Sequence, residues 1–304
     1  MNTAGYRLLS DSLPVGDEGQ PLVDVGFYIT LFFENGHLPE RRLAAYQLFK
    51  EYWFRVGDHL RWTTDVKTYN WEPITTKYSP EAWLAQQPKE PWTWNICVHG
   101  GDTFDAASAF RFDALGTPSP ELHLSYVHAT FPASWFAEHP EASAVDIMLR
   151  WATTLRPVNG TAGLSIITPM DTTRQAAVAA QARALAERFP GLEVDNVISH
   201  SLYAQQGIRS VNWLTCLDDA LLARLGGVGQ VRANLSADLH LLEYPGGAIL
   251  RAGDYPQAGD RNRQISVEPY RRAAALLKPV RADYPGVFLG FDRESTDDWL
   301  HRFD

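Results

Sequence analysis

The sequence is poor in cysteine and has no long apolar run. Cys97 and Cys216 are the two cysteines among 304 residues. Both lie in apolar stretches, which argues against a disulfide scaffold and is typical of a reducing compartment. No run of about 18 apolar residues occurs, so we expect no membrane-spanning segment. The first residues lack a basic stretch followed by an apolar core, so we expect no secretory signal and a cytoplasmic protein.

The sequence also lacks the short motifs of common enzymes. It has no His-Glu-x-x-His, no cysteine pair at zinc spacing, no phosphate-binding loop and no nucleophile elbow. His99–Asp102 resembles an esterase oxyanion loop, but without the elbow we interpret it as a turn after a strand. Asp58 with Asp65–Lys67 faintly matches metal-dependent nucleases, yet a solvated charge cluster is the simpler interpretation. We therefore predict no catalytic residue, no metal ligand and no cofactor.

Basic residues are outnumbered by acidic ones, 27 to 36, which gives a net charge of −9. The excess lies at the ends. Residues 1–40 hold six acidic and one basic residue, and residues 292–304 hold five acidic and two basic. Because phosphate binding needs cations, this balance argues against direct nucleic-acid binding and favours a basic protein partner. Mild acidity that serves only solubility is the alternative.

Tryptophan is abundant, with ten residues. The side chain combines a large apolar area with one polar group, so we expect some of the ten at a surface that meets a partner. Burial in the core is the competing interpretation for each of them.

Apolar periodicity predicts both strands and helices. The predicted strands cover residues 23–33, 92–98, 122–131, 163–168, 209–215, 239–244, 248–251 and 286–291. The predicted helices cover residues 39–60, 143–155, 172–189 and 269–277, with a short helix opened by Asp218 and Asp219. Ser143 is the expected N-cap of the second helix, and Thr172 with Gln175 forms an expected capping box for the third. His123 and His128 fall on one predicted strand, where their odd spacing points them to opposite faces.

The strands recur in clusters and hairpins, not in strict alternation with helices. This pattern predicts an α+β fold with mixed, mostly antiparallel sheets packed against amphipathic helices, in two halves of similar layout. We expect one domain over residues 1–304, in which a boundary near 132–140 would separate subdomains 1–135 and 140–304. No low-complexity linker divides them.

The loop Gly253–Asn262 is the most interesting surface candidate, because two Gly-Asp pairs flank a Tyr-Pro. It either presents its acidic residues to a partner, with the tyrosine as a rigid anchor, or simply builds two turns; we favour the turns. The loop after His99 has the same two interpretations. For the tail Asp297–Trp299 we favour a fraying end over a partner contact. The candidate partner-binding residues are Asp102, Asp105, Asp254, Tyr255 and Asp260.

Several of these segments carry a family resemblance. The matching blocks are Asn212–Thr215, Gly226-Gly227, Ala252–Pro256 with Gly259-Asp260, Leu155–Gly163, and Tyr270 with Leu277–Arg281. Together they resemble the type VI secretion immunity family, cytoplasmic inhibitors found beside nuclease toxins of the restriction-endonuclease-like kind. The resemblance covers roughly residues 20–290.

The resemblance implies a non-enzymatic protein that binds and occludes a cognate effector toxin, a nuclease. Two other functions stay open. One is a structural or assembly component of the secretion apparatus, and the other is a metal-dependent hydrolase or nuclease. The oligomeric state does not follow from the sequence.

Overall fold

The fold is organised around a β-sheet with helices packed against it. The structure, a computed structural model, describes residue 13 and residues 23–87, 93–118, 123–194 and 197–304. The strands are β1 (Asp24–Phe33), β2 (Trp62–Thr64), β3 (Trp71–Pro73), β4 (Trp94–His99), β5 (Arg111–Gly116), β6 (Ser125–Pro132), β7 (Asn159–Ile167), β8 (Glu193–Val194), β9 (Leu214–Asp218), β10 (Leu239–Tyr244) and β11 (Gly247–Ala252). The α-helices are α1 (Pro39–Val56), α2 (Pro80–Gln86), α3 (Trp135–Glu138), α4 (Ala144–Leu155), α5 (Thr172–Arg188), α6 (Val197–Ser201), α7 (Asp219–Arg224), α8 (Val228–Ala233), α9 (Glu268–Leu277) and α10 (Arg293–Leu300).

Within the described ranges the strand order is β10-β11-β9-β7-β1-β6-β5-β4-β2-β3, with β8 beside β7. The β7–β8 pair is parallel, and the other pairs are antiparallel. This confirms the predicted α+β class. The central strands β1 and β7 are each followed by a long helix, α1 and α5. The sheet continues across the predicted boundary, and the division into subdomains 1–135 and 140–304 stays a prediction.

The central strand β1 is buried on both faces. Phe27, Ile29 and Leu31 point to one side, into the main apolar core. Sequence alternation predicts this face. The opposite face carries Tyr28 and Thr30, which are also buried. Because a buried polar group costs free energy unless it is hydrogen-bonded, this second face must find its partners inside the protein.

Most helix boundaries follow from local chemistry. The hydroxyl of Ser143 accepts a hydrogen bond from the backbone N–H of Asp146 at 3.2 Å, which confirms the predicted N-cap of α4. The predicted capping box of α5 is wrong by one residue. Asp171 is the N-cap, and its carboxylate accepts from the backbone N–H of Arg174 at 2.9 Å. A carboxylate suits this position better than a hydroxyl because it also meets the positive end of the helix dipole.

The predicted strand over residues 209–215 is misplaced, because β9 begins only at Leu214. Asn212 explains the difference: its side-chain oxygen accepts from the backbone N–H of Trp213 at 2.8 Å. Asparagine competes in this way with regular strand hydrogen bonds. The same oxygen lies against Gly163, where a Cβ atom would collide with it. The chain therefore passes close over β7 before it joins the sheet.

Other predicted strands need smaller corrections. The starts at Trp92 and Leu122 lie outside the described residues, and β4 and β6 begin at Trp94 and Ser125. His123 consequently precedes β6 and does not share a strand with His128. The predicted hairpin over 239–244 and 248–251 is confirmed as β10 and β11.

The C-terminal segment differs most from expectation. Residues 286–291 form no strand, and the tail predicted to fray is the packed helix α10. Asp292 and Ser295 start the helix with a reciprocal capping box, and Trp299 is buried. The guanidinium carbon of Arg302 lies 3.4 Å from the centre of the Trp299 ring, and its Nε donates to the carbonyl of Pro190 at 2.6 Å. Cation–π contact and burial hold the tail in place.

We expect Trp299→Ala to lower the free energy of unfolding by about 3–5 kcal/mol, because it removes a buried indole from this packing. The neighbouring Asp298→Ala should change it by less than about 0.5 kcal/mol, since that side chain is exposed. Urea unfolding of both variants measures the difference. Equal, small effects would show that the tail does not pack as described.

Candidate partner-binding surface

Two of the predicted partner-binding carboxylates, Asp102 and Asp105, lie in the β4–β5 loop (residues 100–110) and differ in exposure. The side chain of Asp102 is 90% exposed, and its contact is an ion pair with Arg61 at 2.6 Å. Asp105 is mostly covered. It accepts from the Thr103 hydroxyl at 2.6 Å and from Arg174 Nε at 2.8 Å, and these two hydrogen bonds lower its pKa. Asp102 is therefore free to exchange its partner, whereas Asp105 fastens the loop.

The β11–α9 loop (residues 253–262) shows the same division. Asp254 is 82% exposed and has a loose ion pair with Arg251 at 3.8 Å, and Tyr255 is about half exposed. Gly253 and Gly259 have φ angles of 84° and 67°, a region that glycine adopts at little cost. Two turns thus project Asp254 and Tyr255 outward.

Asp260 lies at the base of this loop and has no exposed surface. Its carboxylate accepts from Arg188 Nη2 at 3.0 Å and Nε at 3.3 Å, and from the backbone N–H of Asn262 at 3.0 Å. The hydrogen bonds from Arg188, followed by its charge, lower the pKa of Asp260. The geometry agrees with the structural interpretation of the Gly-Asp motif for this residue.

Helix α5 connects the two loops. Arg174 in its first turn pairs with Asp105, and Arg188 at its last residue pairs with Asp260. At 1.5 Å per residue the two arginines are about 21 Å apart along the helix. Sequence reasoning singled out both loops but missed this link, because ion pairs between distant segments leave no local pattern.

The acidic C-terminal segment is largely compensated by arginine. Asp297 pairs with Arg293, and Asp304 pairs with Arg281 at 2.6 Å. These carboxylates are committed to partners within the chain. The local excess of negative charge that the sequence shows is therefore smaller on the folded surface than the residue counts suggest.

A buried polar cluster on the second face of the sheet was not predicted. Arg209 and Glu193 form an ion pair in which both side chains are almost fully buried. The Tyr28 hydroxyl lies 2.8 Å from Thr161 Oγ1 and 3.3 Å from Glu193 Oε2. Burial, and next the charge of Glu193, raise the pKa of Tyr28 far above its ordinary value, so the phenol stays protonated. These four residues come from four separate segments, so no sequence motif could reveal them.

The same cluster includes two histidines, His128 and His200. Thr30 Oγ1 and His128 Nδ1 are 2.8 Å apart. Burial, with the nearby Arg209, lowers the pKa of His200. The cavity between these groups has a volume of about 10 Å³, which is room for roughly one water molecule. Among the described residues no group of three or more His, Cys, Asp or Glu side chains is arranged to hold a metal ion.

Comparison with known proteins identifies the class. A family model described as TsiV, type VI immunity for VRR-NUC, matches residues 44–303. A solved structure, the Pseudomonas aeruginosa T6SS protein PA0821, has a TM-score of 0.80 at 24% sequence identity, over 93% of this chain and 82% of that chain. At this identity the likeness shows a shared fold. No match was found among curated proteins.

The protein is thus an immunity protein of the type VI secretion system. The chain belongs to the TsiV family, whose members provide immunity to VRR-NUC nuclease effectors. This confirms the family resemblance of the sequence motifs. Across the part of the chain that is described, no helix has both the length and the apolar character needed to cross a bilayer.

Substitution of the two Gly-Asp carboxylates, Asp254 and Asp260, should change the free energy of unfolding by very different amounts. Asp260→Asn should lower the free energy of unfolding by about 2–3 kcal/mol, because it leaves the partly buried Arg188 without its counter-charge. Asp254→Asn should change it by less than about 0.5 kcal/mol, since Asp254 is exposed. Chemical denaturation at pH 7 measures both. A harmless Asp260→Asn would contradict the structural role.

Proposed function

We propose that the chain neutralises its VRR-NUC effector by binding alone, as a non-enzymatic inhibitor in the cytoplasm. Membership of the TsiV family supports an effector nuclease as the partner. The closed polar cluster supports the absence of catalysis there, because its cavity of about 10 Å³ admits no substrate. The chain would contact the effector protein and not its nucleic-acid substrate, in keeping with the acidic net charge of −9.

The observation that carries the proposal is the connection of both candidate loops to one helix. Arg174–Asp105 and Arg188–Asp260 fix the loops at the two ends of α5. Held in this way, Asp102, Asp254 and Tyr255 are exposed on loops whose bases are each bound to α5. Preorganised surfaces bind more tightly because less conformational entropy is lost on association. Asp105 and Asp260 would thus act by positioning the loops.

The exposed negative charge of the two loops favours a partner that presents cations. A nuclease must present cations where it holds phosphate groups, and an inhibitor with exposed carboxylates can meet those cations. The exposed carboxylates of the two loops, Asp102 and Asp254, have only weak ion pairs within the chain. Ion pairs at exposed sites contribute about 0–1 kcal/mol, so exchanging them for a cation of the effector costs little.

Titration of the purified effector tests the proposal. Nuclease activity on plasmid DNA with Mg²⁺ should fall in proportion to the amount of added protein and vanish near equimolar amounts, because a binder is consumed by its target. The mass of the effector should stay unchanged. Inhibition by substoichiometric amounts, or a covalently altered effector, would show an enzyme. Full nuclease activity with excess folded protein would contradict inhibition by binding.

We expect charge reversal in the loops to slow association. The double variant Asp102→Arg/Asp254→Arg should lower the association rate constant several-fold at low salt and less at 0.5 M salt, because salt screens exposed charges. A matched control is Asp283→Arg/Asp298→Arg, which changes the net charge equally at exposed positions outside the loops. Stopped-flow or surface binding measures the rates. Equal slowing by both double variants would show that only net charge matters.

A further inference from the structure

Tyr69, in the turn that joins β2 and β3, has a backbone conformation that favours glycine. Its φ angle is 58°, a region that bulky L-residues adopt only at an energetic cost. The turn enforces it. Asp65 Oδ1 accepts from the backbone N–H groups of Lys67 at 3.0 Å and Thr68 at 2.7 Å, and the carbonyl of Asp65 accepts from the N–H of Tyr69 at 2.9 Å. The strain belongs to a tightly bonded turn and not to a loose segment.

In the described part of the chain, no hydrogen bond or aromatic ring contact involves the Tyr69 side chain, and the residue is 60% exposed. Glycine at this position would relieve the strain and remove a side chain that is mostly exposed. A strained aromatic residue that is largely exposed is a candidate contact for a partner.

Other aromatic side chains lie on the same hairpin and on the adjoining β4–β5 loop. The ring centre of Phe104, 45% exposed, is 6.1 Å from that of Trp62, whose Nε1 donates to the carbonyl of Gly101 at 3.0 Å. Trp71 packs against His99 with 4.7 Å between ring centres. We call Trp62, Tyr69, Trp71 and Phe104 the aromatic surface. Rigid aromatic groups with few rotatable bonds dominate the energetics of many protein interfaces.

A replaceable ion pair borders the aromatic surface. Asp102 is 90% exposed and Arg61 is 59% exposed, and Arg61 Nη1 lies 2.6 Å from Asp102 Oδ1. Such a pair contributes little to stability, so an incoming cation can take the place of Arg61. Aromatic faces also attract cations. The chemistry of this surface therefore fits a guanidinium or ammonium group carried by a protein partner.

We propose that the aromatic surface is the anchor site for the effector: an arginine or lysine side chain of the nuclease packs on Trp62 and Phe104 and pairs with Asp102, and Tyr69 at the tip of the hairpin makes a separate contact. This inference rests on the proposed function, because the nuclease supplies the cation. A second copy of the chain and single-stranded nucleic acid are the other conceivable occupants. Either of these occupants would overturn the proposal.

Tyr69→Gly gives the sharpest test, because the proposal requires stability and affinity to move in different directions. The midpoint of thermal unfolding should stay unchanged or rise by up to about 3 °C, since the strain is relieved. The dissociation constant for the effector should rise at least about tenfold, and Phe104→Ala should act likewise. A lower midpoint for Tyr69→Gly would assign the ring to the fold and overturn the proposal.

Phe54→Ala is the matched control, because Phe54 is 90% exposed on α1, away from this surface. It should leave the dissociation constant within about twofold. The cation contact has its own pair of variants: Arg61→Gln should tighten binding by removing the internal competitor, and Asp102→Asn should weaken it. Loss of affinity in Phe54→Ala but not in Tyr69→Gly would place the anchor elsewhere and overturn the proposal.

The same titration of effector activity separates this inference from the function it rests on. If the unaltered protein does not inhibit the nuclease, the proposed function fails. If it inhibits stoichiometrically and Tyr69→Gly does so with equal affinity, only the anchor assignment fails. Sedimentation of the unaltered protein as a dimer that Tyr69→Gly dissociates would identify a second copy as the occupant. Binding of a labelled single-stranded DNA that Tyr69→Gly abolishes would identify nucleic acid.

Discussion

The buried ion pair between Arg209 and Glu193 is the constraint around which the second face of the sheet is arranged. A charge removed from water needs both a counter-charge and hydrogen bonds, so the strand that holds Glu193 and the segment that carries Arg209 must stay together. The guanidinium of Arg209 also lies 5.1 Å from the ring centre of Phe288 and 5.8 Å from that of Trp299. One side chain thus joins the sheet to the C-terminal helix, and it explains why a segment rich in acidic residues is packed and not frayed.

The sequence was informative where structure is local. The alternation in β1, the Ser143 cap and the β10–β11 hairpin each depend on neighbours a few residues apart, and each was predicted correctly. The predictions were wrong where contacts between distant segments determine the local structure. Asn212 leaves the strand pattern because it meets the backbone N–H of Trp213 and lies against Gly163. Residues 286–291 form no strand, and Phe288 and Phe291 pack into a core that only the folded chain provides. The class of protein followed from motifs in order along the chain. The sequence did not predict the ion pairs of Asp105 and Asp260, because Arg174 and Arg188 are far from them along the chain.

The candidate surface shows how an α+β scaffold can serve binding. Two arginines of helix α5 pair with two loops that lie on strands far apart in the sheet. Loops of this kind tolerate substitution at their exposed tips while their bases stay fixed. Recognition of one effector in place of another could thus change at Asp102 or Tyr255 without disturbing the Asp105 and Asp260 pairs beneath them.

The outer strands of the sheet have a further consequence. A broad sheet offers unpaired backbone groups at its two borders, and such borders can recruit strands from other molecules. Here β3 spans three residues and ends in Pro73, which has no N–H to donate. At the other border β10 carries Glu243, engaged by Arg232, while its leucines pack inward. Within the described chain, the β3 border thus offers little backbone to another strand, and the charged residue on β10 works against pairing at the other border.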